Sequence, residues 1–142
     1  MSAPRQRAAF DAAAASRPSI GRIAFLALAW TLVACIAAQT GLAGAAVFAD
    51  PAYWTAHERL VHLFEFVPLF MLLIAFPARL PRSVKWRCAA LLALVFAQYA
   101  TAHVAAAGPA HPVVALAMFW LAVDTAIRAG RLGANDPEGD AS

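Results

Sequence analysis

Four long apolar runs, separated by short polar segments, dominate the chain. They cover residues 20–43, 57–76, 87–106 and 112–127, and each approaches the roughly 20 residues that a helix needs to cross a hydrocarbon core. The first run is too long for the apolar part of a cleaved signal peptide, which spans roughly 7–15 residues. The pattern therefore predicts an all-α membrane protein, with a four-helix antiparallel transmembrane bundle over residues 20–128.

The composition supports the same class. Hydrophobic residues make up 63% of the 142 residues, charged residues make up 13%, and the mean hydropathy is +0.67. A soluble domain is about half apolar and about a quarter charged. The net charge of +3 does not indicate nucleic acid as a partner, because the basic residues lie beside the apolar runs and form no single face. Membrane lipid is the expected surrounding instead.

The basic residues also predict how the bundle is oriented. Ten of the eleven Lys and Arg residues lie on one side of the predicted membrane, and only Arg59 lies on the other. Cytoplasmic segments carry an excess of Lys and Arg. The two tails, residues 1–19 and 129–142, are therefore predicted to be cytoplasmic. On that side Asp124 is expected to pair with Arg128, four residues further along the fourth helix.

All four histidines map to the opposite, outer end of the predicted bundle. His57 and His111 fall at the membrane boundary, whereas His62 and His103 lie about 6–8 Å deeper by helical rise. Ionisable groups inside a membrane are costly and usually face a partner or a cavity. The similar depth of these side chains therefore marks this end as the candidate functional site.

The second apolar run adds two carboxylates to the same region. Glu58, His62 and Glu65 are spaced i, i+4, i+7, so they share one face of a helix. Glu65 lies about 12 Å below the boundary, where a bare carboxylate is expensive. We therefore expect Glu65 to be neutral, or to be partnered by a histidine, Tyr99 or Gln39.

Three chemistries fit this cluster. Two neutral histidines from different helices of a four-helix bundle can hold haem b. Alternatively, Glu58, His62 and Glu65 with a further histidine form a hard-ligand site suited to Zn or Fe. The third possibility is a proton or ion path with Glu65 and the histidines as relays. Small side chains at four positions leave room for a macrocycle: Ala102, Ala105, Ala115 and Ala122.

Each histidine also has a simpler explanation. His57 and His111, near the boundary, are typical of polar residues at the level of lipid headgroups. The deeper His62 and His103 are equally typical of hydrogen bonding between helices. A non-catalytic membrane accessory or small transport protein with structural histidines is therefore the alternative hypothesis.

Two short motifs resemble a known family. The segments HERLVH (57–62), preceded by Trp54, and AHPVVALA (110–117) resemble small, uncharacterised bacterial four-helix membrane proteins. In that family a W-x-x-H pattern opens the second helix and an H-P pattern opens the fourth. The resemblance implies a multi-pass protein of the bacterial cytoplasmic membrane.

The arrangement is also similar to one four-helix half of haem A synthase and, more loosely, to other membrane b-type cytochromes. In the synthase, histidines at the outer ends of helices two and four bind haem, and a glutamate precedes the helix-two histidine by one turn. By position, the resemblance implies His57 or His62 together with His111 as ligands, and Glu58 as that glutamate. A single four-helix unit lacks the second site that the synthase reaction requires, so the resemblance gives no support for an enzymatic reaction, and whether the protein is an enzyme stays open.

The leading hypothesis is a haem b protein that transfers electrons near the outer membrane face. His62 and His111 are the first-choice axial ligands. Glu58 and Glu65 are expected to orient a ligand or tune the potential. A quinone or a redox protein is the expected partner, and a homo-oligomer is compatible with the apolar surface. The whole candidate cofactor site comprises seven residues: His57, Glu58, His62, Glu65, Tyr99, His103 and His111.

Overall fold

The structure, a computed structural model, describes residues 19–134 and is all-helical, which confirms the predicted class. Most of the N-terminal tail, and the C-terminal tail beyond Ala134, lie outside the described residues. The helices are α1 (Ile20–Phe48), α2 (Tyr53–Phe64), α3 (Val67–Ala75), α4 (Arg82–His103), a 3₁₀ helix (Ala105–Ala110) and α5 (His111–Ala134).

The ends of α1 are set by local hydrogen bonds. Ser19 caps the first turn, since its side-chain oxygen accepts from the backbone N–H of Arg22. The helix continues to Phe48, about one turn past the predicted end of the first span. Beyond it the Asp50 carboxylate accepts from the Ala52 N–H at 2.8 Å. This short turn around Pro51 places the start of α2 beside the end of α1.

The predicted second span, residues 57–76, begins earlier than expected and is split in two. Helix α2 already begins at Tyr53, and Glu65 and Phe66 separate it from α3. The split has a local cause, because Pro68 in the first turn of α3 has no N–H to donate to the carbonyl of Phe64. Glu65 therefore lies at a break in the helix instead of in the middle of a continuous span.

The last two helices also differ from the predicted spans. Helix α4 begins at Arg82 and ends at His103, and a 3₁₀ helix containing Pro109 replaces the predicted simple turn. Helix α5 continues to Ala134, into the segment predicted as a tail. Its last turns are helical because they have a packing partner: Ala129 and Leu132 pack against the core.

Helices α1, α3, α4 and α5 pack in a ring around a common core. Helix α1 packs against α2, α3 and α5, and α4 packs against α3 and α5. The core is densest at one end, here called the arginine end, which holds the start of α1, the loop 76–81 and the end of α5. Side chains that are fully buried there include Phe25, Leu32, Met71, Val84, Cys88 and Leu91.

An ion-pair network links two helices at the arginine end. The Nε atom of Arg128 donates to both carboxylate oxygens of Asp124, at 2.9 and 3.0 Å, which confirms the predicted pair. Asp124 also accepts from Arg87 on α4, a contact that the sequence analysis did not foresee. The carboxylate therefore connects α4 to α5 and is charge-compensated from two sides.

Much of the apolar surface of the helices is not covered by the protein itself. Within the described residues, two helical segments are long and apolar enough to cross a membrane: Ile20–Phe48 and Ala105–Leu132. Only 22% of the most apolar stretch of each segment is buried inside the protein. Large exposed side chains occur on all sides of the bundle, among them Trp30, Phe66, Phe70, Phe96 and Trp120. Most of this apolar surface is left to an outside environment.

The contact between Gly21 and Ala78 yields a test of the close packing at the arginine end. A Cβ atom at Gly21 would lie 3.2 Å from the Cβ of Ala78, which is closer than ordinary contact. We expect Gly21→Val to lower the free energy of unfolding by about 1–3 kcal/mol, because the loop 76–81 must be displaced. The measurement is unfolding of the detergent-purified protein by added SDS.

Gly41→Val is the matched control, since a Cβ at this position of the same helix meets no atom within 4 Å. Its stability should stay the same or rise slightly, because valine favours a helix over glycine. Equal losses for the two variants would contradict the assignment of Gly21 to a close helix–loop contact.

Candidate functional site

A cavity of about 1010 Å³ opens at the end of the bundle opposite the arginine end. Its walls come from the second half of α1, from α2, from the last turns of α4 and from the first turns of α5. This end is here called the histidine end. All seven residues of the predicted site line the cavity: His57, Glu58, His62, Glu65, Tyr99, His103 and His111.

The cavity exists because the helices at the histidine end do not fill the space between them. Helix α3 packs against both α1 and α4, whereas α2 packs closely only against α1. Small side chains then leave the space open, and Ala102 and Ala115 do so as predicted. Ala122 does not contribute, because it is fully buried in the core. Ala105 lies in the 3₁₀ helix and does not line the cavity.

Two histidines are oriented by backbone carbonyl groups. The Nδ1 atom of His57 lies 3.1 Å from the carbonyl oxygen of Gln39, and that of His103 lies 2.8 Å from the carbonyl oxygen of Tyr99. A carbonyl oxygen only accepts hydrogen bonds, so Nδ1 carries the proton in both rings. In the neutral form of each ring, the lone pair is then on Nε2.

His111 reaches the same protonation state through a hydroxyl group. Its Nδ1 atom lies 3.0 Å from Oγ1 of Thr101. That hydroxyl lies 2.9 and 3.0 Å from the carbonyl oxygens of Ala97 and Gln98, and it donates its single proton to them. Thr101 is therefore left to accept from the N–H of His111, and Nε2 of His111 also keeps its lone pair.

Glu65 is partnered as expected. The hydroxyl of Tyr99 donates to Oε2 of Glu65, and Nδ1 of His62 lies 3.5 Å from Oε1 of the same carboxylate. The ring nitrogen of His62 also lies 3.4 Å from the hydroxyl oxygen of Tyr99. The Glu65 side chain is only 17% exposed, whereas that of His62 is 65% exposed. Tyr99 thus holds the carboxylate, and His62 is fixed less firmly than the other three histidines.

The predicted Zn or Fe site is not assembled. Residues 19–134 contain no group of three or more His, Cys, Asp or Glu side chains arranged to hold a metal ion. Glu58, His62 and Glu65 share the cavity wall, as their spacing predicts, but the Glu65 carboxylate is held by the hydroxyl of Tyr99.

Two glutamines are features of the site that the sequence analysis missed or left without a role. Gln39 and Gln98 line the cavity, and the Oε1 atom of each is buried without a hydrogen-bond partner in the described part of the chain. The sequence predicted Gln39 only as a partner of Glu65 and gave Gln98 no role. A polar amide inside an apolar run is nevertheless a signal that predicts a functional or buried position. None of the described residues that line the cavity is Lys or Arg. The wall is therefore rich in hydrogen-bond acceptors.

Residues 39–107 match the model of one protein family, which is described as a family of unknown function (DUF6220). The matched range includes Gln39 and six of the seven predicted site residues, but it ends before His111. This likeness supports the predicted resemblance to an uncharacterised family. No curated protein and no solved structure matches the chain.

Tyr99 yields a test of how the buried carboxylate is held. Tyr99→Phe removes the hydroxyl that donates to Glu65 and leaves a largely buried acceptor without this partner. We expect the free energy of unfolding to fall by about 1–3 kcal/mol. The measurement is the SDS unfolding midpoint at neutral pH.

The matched control is Tyr53→Phe, because Tyr53 is an exposed residue at the start of α2. Its midpoint should be unchanged. A Tyr99→Phe protein as stable as the wild type would show that Glu65 does not depend on the phenol.

Proposed function

We propose that this protein is a four-span membrane protein that binds one haem b at the histidine end and transfers electrons. The observation that carries the proposal is the common state of three cavity histidines. His57, His103 and His111 each donate from Nδ1 to a protein oxygen, which leaves Nε2 as the nitrogen available to a ligand. Histidines that bind metals in proteins are held in this way, because the second hydrogen bond fixes the tautomer and the direction of the ring.

The exposed apolar surface supports the membrane part of the proposal. The two segments that are long enough to cross a membrane bury only 22% of their apolar stretches inside the protein. Core helices of soluble proteins bury most of such a surface, whereas lipid accommodates it without cost. In the proposed arrangement α1, the α2–α3 pair, α4 and α5 are four antiparallel spans.

The charge distribution supports one orientation of those spans. In the described residues, Arg22, Arg79, Arg82, Lys85, Arg87, Arg128 and Arg131 belong to the arginine end, and Arg59 alone belongs to the other. Under the positive-inside rule the arginine end faces the cytoplasm of a bacterial inner membrane. Both termini are then cytoplasmic, and the cavity opens toward the outer face.

The size and the donor set of the cavity fit a haem. Cofactor sites usually have volumes of about 300–1,000 Å³, and this cavity of about 1010 Å³ is at the upper end of that range. Its walls are mostly apolar, and unprotonated imidazole nitrogens are typical axial ligands of haem iron. Ala102 and Ala115 leave the flat space that a macrocycle needs.

His111 on α5 and one histidine on α2 would hold the haem iron, since both helices line the cavity and do not pack closely against each other. On α2, His62 was the first choice from the sequence. The hydrogen bonds favour His57, because its ring is half-buried and held by Gln39, whereas the ring of His62 is largely exposed. His103 is exposed at the end of α4 and is the least favoured of the four.

A bound haem supplies a one-electron couple within the membrane. The surrounding residues of this chain have separate tasks. Thr101 and the carbonyl of Gln39 hold the ligand rings, and Tyr99 keeps the Glu65 carboxylate turned to one side. The dense core at the arginine end separates the cavity from the cytoplasmic side. An electron partner, either a quinone in the bilayer or a redox protein outside it, then acts at the histidine end.

One observation favours the alternative of a small transport or accessory protein. The unpaired Oε1 atoms of Gln39 and Gln98 leave the cavity with buried acceptors and no donors to match them. A small organic ligand carrying N–H or O–H groups would satisfy these acceptors without any metal. The histidines would then accept hydrogen bonds from this ligand.

An absorption spectrum distinguishes the two functions. The protein, expressed with ample haem supply and purified in detergent, should show a Soret band and sharp reduced α and β bands at about one haem per chain. We expect His111→Ala to abolish this spectrum. The second ligand is identified by which α2 variant also loses the spectrum. Loss in His57→Ala would identify His57, and loss in His62→Ala would identify His62.

His103→Ala is the matched control, because it removes a cavity histidine of the same tautomer without removing a proposed ligand. Its spectrum should match that of the wild type. A wild-type protein that binds no haem, or a His111→Ala protein that keeps the full spectrum, would refute the haem proposal and favour the alternative.

Reporter fusions test the orientation. A fluorescent protein fused to the C-terminus should fluoresce, because the proposed C-terminus is cytoplasmic, and alkaline phosphatase inserted at Asp50 should be active. The same phosphatase inserted at Arg79 should be inactive, since this loop lies at the opposite end. The reverse pattern would invert the bundle, and release of the chain by alkaline carbonate would contradict membrane integration.

A further inference from the structure

The arginine end carries a compact basic surface that neither the fold nor the haem site uses. It is formed by Arg79 in the loop 76–81 and by Arg82 and Lys85 in the first turn of α4, and is here called the basic patch. Arg79 and Arg82 are exposed, and Lys85 is half-buried. The three positive charges lie within seven consecutive residues.

No carboxylate neutralises the basic patch within residues 19–134. Asp124 is the one acidic residue described at the arginine end, and it is already paired with Arg87 and Arg128. The other described acidic residues, Asp50, Glu58 and Glu65, lie toward the histidine end. Within the described part of the chain, the charge of the patch is therefore left for another group to balance.

The patch is held in place by the fold. Ala78 and Leu80, on either side of Arg79, are buried against the bundle, at 7% and 4% exposure. Arg79 itself has a φ of 53°, in the left-handed region that few non-glycine residues adopt. The loop thus turns the Arg79 side chain outward while its neighbours anchor the backbone. This fixed loop presents its charge at a lower entropy cost than a flexible one would.

Two exposed aromatic rings lie beside these charges. The guanidinium carbon of Arg82 lies 6.0 Å from the ring centroid of Trp86, and Nζ of Lys85 lies 4.6 Å from that of Phe76. Trp86 and Phe76 are 63% and 59% exposed. Trp rings such as that of Trp86 prefer the level of lipid headgroups, and a cation over the ring is held at the same level. Phe76 adds an exposed apolar ring beside Lys85.

We propose that the basic patch binds the phosphodiester headgroup of an anionic phospholipid. The rings contact the acyl chains just below the headgroup, and the three cations contact the phosphate. This inference rests on the proposed membrane placement of the bundle but not on haem. A membrane-embedded ligand is favoured over free phosphate because the cations and the exposed rings lie side by side, which matches a headgroup joined to acyl chains.

The expected selectivity follows from the number of charges. A Lys or Arg near an anionic membrane surface contributes about a fivefold change in binding, so three of them contribute roughly a hundredfold. Phosphatidylglycerol and phosphatidylcholine of the same chain lengths differ in headgroup charge and so isolate this contribution.

Native mass spectrometry of the detergent-purified protein, offered the two lipids in equal amounts, measures the selectivity. The wild type should retain phosphatidylglycerol in strong preference, and the variant with Arg79→Gln, Arg82→Gln and Lys85→Gln should lose that preference. Lys85→Gln alone should lose about fivefold, which keeps the test decisive if the triple variant does not fold. Arg59→Gln is the matched control, because it removes the basic residue at the opposite end, and it should behave as the wild type.

Three outcomes would overturn the inference. The first is equal retention of the two lipids by the wild type. The second is full suppression of lipid binding by millimolar inorganic phosphate, which would identify free phosphate as the ligand. The third is a preference for phosphatidylglycerol that appears only when residues 135–142, a segment with acidic residues, are deleted. That result would identify this segment as the occupant of the basic patch. A protein without a haem spectrum would leave all three outcomes unchanged, because the proposed lipid binding does not depend on haem.

Discussion

The close packing of helices at the arginine end is the constraint on which the rest of the structure depends. Gly21 allows the loop 76–81 to lie directly on α1, and Ala78 and Leu80 are buried there. A carboxylate at Asp124, paired from both α4 and α5, fixes two further helices at the same level. Away from this fixed end, Pro68 separates α2 from α3. Helix α2 then packs against α1 and not closely against α4. The space at the histidine end results from that divergence.

The cavity at the histidine end determines which hydrogen-bond partners its polar groups have. A buried polar atom without a partner costs free energy, so each ring nitrogen or carboxylate near the cavity takes the nearest protein partner. The carbonyl groups of Gln39 and Tyr99 and the hydroxyl of Thr101 supply these partners for three histidines. The protein thereby satisfies one nitrogen of each ring and leaves the other directed to whatever enters the cavity. The same rule makes the unpaired oxygens of Gln39 and Gln98 notable, since the protein supplies no partner for them.

The sequence predicted the helical class and the clustering of seven polar side chains at one end of the bundle, because both depend on local patterns. Apolar runs identify helices, and the positions of His57, Tyr99 and His111 along three helices place them toward the same end of the bundle. It could not predict details that depend on tertiary contacts. The continuation of α5 to Ala134 requires α1 as a partner, and the pairing of Arg87 with Asp124 joins residues that are far apart in sequence. The split at Glu65 was readable from Pro68, but the apolar run concealed it.

The two ends of the bundle are chemically opposite, and this contrast limits what each can bind. The described lining of the cavity offers imidazole, amide and carboxylate acceptors and no Lys or Arg, so it suits a Lewis acid or a ligand that donates hydrogen bonds. Among the described residues, the arginine end offers cations and one acidic residue that is already paired, so it suits an anion. The packed apolar core keeps the two sets of groups apart, so neither is close enough to neutralise the other. The two proposed ligands therefore differ in kind, with a Lewis acid or a hydrogen-bond donor on one side of the core and an anionic headgroup on the other.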